Sequence, residues 1–150
     1  MRKFYQRLLL GALLALLLPL AACGKSKPVT TDLAIPAPEI TDDLKMVPVQ
    51  LGKIKTNVLA YRVSDGSVRT ALNISQVCYP SGKGFYVQEG QDLVCQNCGQ
   101  RVALETIGLP GQGGCHPVAI PAASRTEADG NVVIPAAVLE EFRQLIETWQ

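Results

Sequence analysis

A mainly β (α+β) fold is predicted by three observations: short strand-like runs, glycine-containing turn dipeptides between them, and a C-terminal stretch whose apolar residues recur at helical spacing. NVLAYRV (57–63) and VRTALNI (68–74) flank SDGS, where Asp65-Gly66 is expected to supply the positive backbone angles of a tight hairpin. GFYVQ (84–88) and LVC (93–95) flank Glu89-Gly90 in the same way, and Asp129-Gly130 precedes NVVI (131–134). In the last segment Val138, Phe142, Leu145 and Trp149, with Leu139 and Ile146 beside them, form one apolar face. Pro135 fits the start of that helix, and Glu140 and Glu141 are expected in its first turn, where carboxylates meet the positive end of the helix dipole. The expected architecture is a small antiparallel sheet domain of hairpins, with the helix packed on the sheet and a cysteine metal knuckle in one loop.

The domain organisation begins with residues 1–22, which read as a cleaved export signal. Arg2, Lys3 and Arg7 precede an apolar run from Leu8 to Leu20, shorter than the roughly 20 residues a membrane span requires. Leu20-Ala21-Ala22-Cys23 resembles the bacterial lipoprotein box, which makes Cys23 the expected lipidation site. Acyl chains contribute about 0.8 kcal/mol per buried CH₂, enough when several share one cysteine to hold a domain at a membrane. Gly24, rather than Asp, after that cysteine favours the outer over the inner membrane, with the domain facing the periplasm. Residues 23–45, with Pro28, Pro36 and Pro38 and little apolar periodicity, are expected to be a lipidated flexible tether. Fully extended, such a tether would reach roughly 65 Å. Residues 46–150 form the single expected domain.

Composition excludes several functions. Cleavage before Cys23 leaves 128 of the 150 residues, room for one core, and removes three of the 14 bases against 13 acids, for a net charge of −2. Nucleic acid is therefore not an expected partner. A single histidine, with no Ser/His/Asp set, paired carboxylates or phosphate loop, gives no basis for an enzyme. GLPGQGG (108–114) lacks the lysine of a phosphate loop.

With Cys23 acylated, Cys78, Cys95, Cys98 and Cys115 remain. Four thiols in an exported chain allow two disulfides in any of three connectivities, or one tetrathiolate metal site. In CQNCGQ (95–100) the pair is two residues apart and Gly99 can take a left-handed backbone, which points both sulfurs at one centre and turns backbone N–H groups towards them. No helix follows to lower a thiol pKa, so a redox pair is the weakest of the three readings. Turn-rich VCYPSGKG around Cys78 and LPGQGGCHPV around Cys115 can present the other two sulfurs. His116 is a lesser ligand candidate, because it adjoins Cys115 and neighbouring residues rarely face one ion together. Zinc and iron accept the same four thiolates, so the metal stays open here. Tyr79, Phe85 and Tyr86 are close enough in sequence to shield the centre.

The boxes VCYP, QEG, CQNCGQR and GGC, in that order, with DGNVVIP after them, resemble the FtrD-like membrane iron-sulfur domain over roughly residues 57 to 135. The resemblance implies a membrane-bound protein or lipoprotein of the bacterial envelope, carrying an iron-sulfur cluster or iron, in electron transfer or iron handling, with iron-uptake or redox proteins as partners. Zinc or two disulfides in a non-catalytic binding or scaffold lipoprotein is the alternative. The resemblance also implies a cysteine where this chain has Ser75, so that two knuckles, 75/78 and 95/98, would leave Cys115 spare. Here either Cys115 supplies the fourth thiolate, the site has three cysteines with an open or serine-bound position, or the metal has been lost.

Overall fold

The computed structural model describes residues 27–112 and 114–149. Residues 1–22 and Cys23 lie outside them, and with them the expected signal and lipidation site. Strands follow the chain as β1 (Leu33–Pro36), β2 (Lys45–Leu51), β3 (Ile54–Arg62), β4 (Val68–Ser75) and β5 (Tyr86–Glu89). Then come β6 (Asp92–Cys95), β7 (Arg101–Ala103), β8 (Pro117–Ala119), β9 (Thr126–Ala128), β10 (Asn131–Ile134) and the helix α1 (Ala136–Ile146). They make three antiparallel sheets, ordered β2-β3-β4-β8, β1-β10-β9 and β5-β6-β7, so the mainly β fold with one C-terminal helix is as expected.

The central strands β3 and β4 are buried on both faces along residues 58–61 and 70–75, which explains why NVLAY reads as a nearly continuous apolar run. Val58, Ala60, Leu72 and Ile74 face one core with Val132, Ile134, Leu139 and Ile146. Leu59, Tyr61 and Ala71, one residue out of step, face a second core with Tyr86, Leu93, Val102, Cys78 and Cys95. The period-two alternation of a strand thus serves two cores at once. Cys78 and Cys95 belong to the second core and Cys115 packs against it, so the site sits against this sheet on the side opposite the helix.

Turn chemistry sets the registers. At the β3–β4 hairpin only Gly66 has positive φ, +85°. Asp65 was expected to share it; instead its Oδ1 accepts the Ser67 N–H at 2.7 Å, the local bond that makes aspartate a turn residue. Asp129 and Gly130 do both take positive φ, 50° and 74°, in the two-residue turn that pairs Ala128 with Asn131.

The expected tether, residues 23–45, is corrected over its described part. Leu33–Pro36 pairs with β10, Leu33 opposite Ile134, and Ile35 and Ile40 are buried in the first core. Asp32 Oδ1 accepts the Ala136 N–H at 2.8 Å, satisfying one of the unpaired donors at the start of α1, and the Val29 N–H donates to Glu140 Oε2 at 2.9 Å. Proline is admissible in β1 and β2 because both are edge strands. Their apolar residues, few and interrupted by proline, find cover only after the two ends of the chain meet.

Pro135 caps α1, but Glu140 and Glu141 lie beyond its first turn, which contains no acidic residue. Glu140 instead pairs with Arg143 at 2.6 Å, and Glu147 meets the same guanidinium at 2.7 Å. Bracketed in this way, Arg143 takes a buried position on the face towards the sheet, while Leu145, expected there, is 46% exposed. The Arg143 guanidinium, with help from the Val29 amide and Gln144, holds the Glu140 carboxyl down at about 2, against an ordinary 4.5. A depressed carboxyl stabilises the fold above its unfolded pKa, and the contribution is lost as pH falls from about 4.5 towards about 2. Urea midpoints at pH 6 and pH 3 are expected to differ less for Glu140→Gln than for the parent; an equal difference in both would remove Glu140 from the acid limb.

Candidate metal centre

Strand β4 ends in Asn73, Ile74 and Ser75, and the two polar residues, on alternate positions, arrange the site. Asn73 Oδ1 accepts the Tyr86 N–H at 2.8 Å and its Nδ2 donates to the Tyr86 carbonyl at 3.2 Å. One buried amide thereby satisfies both backbone groups of the residue that starts β5. The Ser75 N–H donates to the Gly84 carbonyl at 2.8 Å, a second tie to the same segment. Gly84 is obligatory there: a Cβ would lie 2.5 Å from Tyr79 N and 2.6 Å from the Cys78 carbonyl carbon. The loop carrying Cys78 is thus pressed directly onto the backbone leading into β5.

The knuckle lies between β6 and β7. Cys95 ends β6, and its N–H donates to the Gln100 carbonyl while its own carbonyl accepts the Gly99 N–H, each at 2.9 Å. Gly99 has φ +74°, the left-handed turn anticipated from the sequence. The Gln96 N–H donates to the Phe85 carbonyl at 2.9 Å, which fixes the knuckle to the segment before β5. The amides of Cys95, Gln96 and Gly99 therefore serve carbonyl oxygens rather than sulfur.

The four sulfurs of Cys78, Cys95, Cys98 and Cys115 all lie within 4.8 Å of one another. All four residues are free thiols, and the Cys78 and Cys115 sulfurs stand 3.6 Å apart, against about 2.05 Å in a disulfide. Cys78 and Cys95 are buried, Cys115 is half-buried and Cys98 is exposed, so the centre lies at the rim of the second core with Cys98 at its solvent edge. Cys115 arrives from the glycine-rich loop before β8, the strand beside β4. Cys115 thus supplies the fourth thiol.

Ser75 is fully buried and stands beside the sulfurs. Its Oγ donates to Cys115 Sγ at 3.2 Å and accepts the Cys78 N–H at 3.3 Å. The Tyr86 hydroxyl lies 3.3 Å from the same Cys115 sulfur, and burial keeps its pKa well above the ordinary 10.0, so it stays protonated. Ser75 and Cys115 are accordingly not alternatives: one carries the thiol, the other orients it. His116 does not join the converging group. Of the expected shielding aromatics only Tyr86 reaches the sulfurs; Tyr79 packs edge-on against Trp149, ring centres 6.0 Å apart, and Phe85 is 45% exposed. The roles of Asn73 and Gly84 were missed from sequence, because a buried Asn and a close-approach Gly carry no local signal.

Electrostatics separate the thiols. The Asn97 side chain, between the knuckle cysteines, draws the Cys78 thiol down to about 7 from 9.0; burial opposes the shift, and bonds from the neighbouring thiols assist it. Burial pushes Cys115 up to about 12, although the Ser75 and Tyr86 hydroxyls favour its thiolate. A cation placed among the four sulfurs would displace the remaining protons, the usual coupling of metal binding to proton release. Ser75→Ala removes one hydroxyl from Cys115 and the acceptor for the Cys78 N–H. Loss of such a supporting bond is expected to weaken metal binding by about 10–100-fold. Competition with a chromophoric chelator checks this, and an unchanged affinity would make Ser75 a packing residue only.

Fold and site together define a small two-core β protein whose four cysteines form a candidate soft-metal centre. The family model for FtrD-like membrane iron-sulfur containing proteins matches residues 40–145, and the chain belongs to that family. Comparison with curated proteins and with solved structures returns no match. Four convergent thiolates are the donor type on which iron-sulfur, iron and zinc centres are built, so the residues present offer a ligand set for a soft metal. None of the described helices is long and apolar enough to cross a membrane.

Proposed function

We propose that this chain is a lipid-anchored protein of the bacterial envelope, whose Cys78, Cys95, Cys98 and Cys115 hold iron for electron transfer or iron handling. One observation carries the reading: four sulfurs from three separate loops converge within 4.8 Å. The family description supports iron and a membrane location. Four protein thiolates occupy every position of a tetrahedral ion and offer none to a substrate, which favours binding over catalysis. Bound iron would supply one-electron exchange, and the chain's contribution is to hold, desolvate and hydrogen-bond the sulfurs. The membrane is engaged through acyl chains on Cys23, with the domain in the periplasm and the outer membrane as destination. Its partners are iron-uptake or redox proteins.

The closed tetrathiolate set also favours a second reading, structural zinc in a non-catalytic scaffold lipoprotein. The full chain, purified anaerobically from membranes in detergent, distinguishes them by elemental analysis and visible absorbance. Iron supports the first reading and zinc the second; a metal-free protein with oxidised cysteines sinks both. For the anchor, Cys23→Ser is expected to abolish incorporation of radioactive fatty acid, and normal labelling would refute it.

A further inference from the structure

From the spacing of the sulfurs we infer that this centre takes a single tetrahedral metal ion, without inorganic sulfide, although the family is described as iron-sulfur containing. The inference rests on the proposed metal-binding role and specifies the chemistry of that site.

Four thiolates on one ion, with metal–sulfur bonds of about 2.3 Å, stand about 3.8 Å apart in a tetrahedron. The Cys78–Cys115 separation is 3.6 Å, and all six pairs fall within 4.8 Å. A cluster spaces its thiolates differently, because the iron–iron distance adds to the two metal–sulfur bonds. Sulfurs on different irons then lie roughly 5.5–6.5 Å apart. In a four-iron cluster all six pairs are of that kind, and in a two-iron cluster four of the six are. Every such pair would have to open beyond what the fold provides.

The surroundings resist that opening. Cys115 Sγ is flanked by Ser75 Oγ at 3.2 Å, the Tyr86 hydroxyl at 3.3 Å and Cys78 Sγ at 3.6 Å. Ser75 and Tyr86 are 0% and 1% exposed, and Asn73 grips the Tyr86 backbone on both sides. Cys95 is fixed at the end of β6 by its bonds to Gln100 and Gly99, and the Cys78 loop is pressed against Gly84. Cys98, on the exposed side, is the thiol least enclosed, and one mobile thiol cannot widen the three pairs among the other cysteines. Bridging sulfides would need that widened space.

The test counts metal and sulfide per chain. The full chain is isolated anaerobically from membranes, and a second portion, stripped with chelator, is reloaded with ferrous iron alone or with ferrous iron plus sulfide. One metal ion per chain without acid-labile sulfide is expected in the native protein. Reloading is expected to saturate at one iron whether or not sulfide is present, and oxidation of that iron should give the paramagnetic signal of an isolated high-spin ferric ion. Two or four irons with matching sulfide, in the native or the sulfide-reloaded protein, would overturn the single-ion assignment and leave the metal-binding role standing. Failure to hold any metal in every preparation would overturn both.

Discussion

Cys95→Ala is expected to give a chain that retains no metal through purification and melts without a cooperative transition at the parent's temperature. Cys95 is 2% exposed, opposite Tyr86 in the β5–β6 register, and both its backbone groups hold the knuckle turn. Its sulfur is thus a ligand and a piece of core packing at once. Losing a ligand should weaken metal binding by more than the roughly 10–100-fold expected for a supporting residue. Each 100-fold loss, at metal concentrations well above the dissociation constant, removes about 2.7 kcal/mol of linked stability. Cys98→Ala provides the contrast, since Cys98 is exposed and contributes a ligand without packing. Melting both variants with and without chelator separates the two effects: chelator should bring the parent down to Cys98→Ala, whereas Cys95→Ala should lie below both. Equal metal content in Cys95→Ala and the parent would remove Cys95 from the centre.

Gly84→Ala carries the second largest expected effect, and it acts through backbone alone. The new Cβ would fall 2.5 Å from Tyr79 N, 2.6 Å from the Cys78 carbonyl carbon and 2.7 Å from Tyr79 Cα, none of which can swing aside as a side chain can. Either the Cys78 loop lifts away from the other sulfurs, or the chain entering β5 retreats and strains the bond from Ser75 N–H to the Gly84 carbonyl. Overpacking of this sort costs about 1–3 kcal/mol, and clashes with fixed backbone belong at or above the upper end. Gly82→Ala, two residues away, meets open space and bears only the strain of φ +74°, about 1–2 kcal/mol. Urea unfolding together with the rate of metal loss to a chelator should show Gly84→Ala impaired in both and Gly82→Ala impaired mainly in stability. Matching metal-loss rates would mean that Gly84 does not set the position of Cys78.

What could be read from the sequence was whatever is encoded locally. Gly66, Gly99 and Asp129-Gly130 announce their turns because few other residues adopt those angles, and the four cysteines stand out as the only thiols left after the lipid box. The helix was visible in its spacing, but not its buried face: Arg143 lies with Leu139 and Ile146 on that face because two glutamates neutralise it, a pairing that apolar periodicity does not count, and Leu145 is turned outwards. Strand β1 was not legible, since Pro36 within it and Pro28 and Pro38 around it resemble the prolines of a linker and its pairing partner, β10, lies far along the chain. The choice between Ser75 and Cys115 likewise depended on β4 and β8 being neighbours, which no spacing along the chain reveals.

The docking of Val29 and Asp32 onto α1 has a consequence for how far the domain can stand off from a bilayer. Under the proposed anchoring at Cys23, only the six residues from 23 to 28 separate the lipid from the first fixed backbone amide, a span of about 20 Å at most. On that proposal the centre would be a surface fixture with a short leash, and an exchange partner would have to be a neighbour in the same membrane plane or a protein that comes down to it.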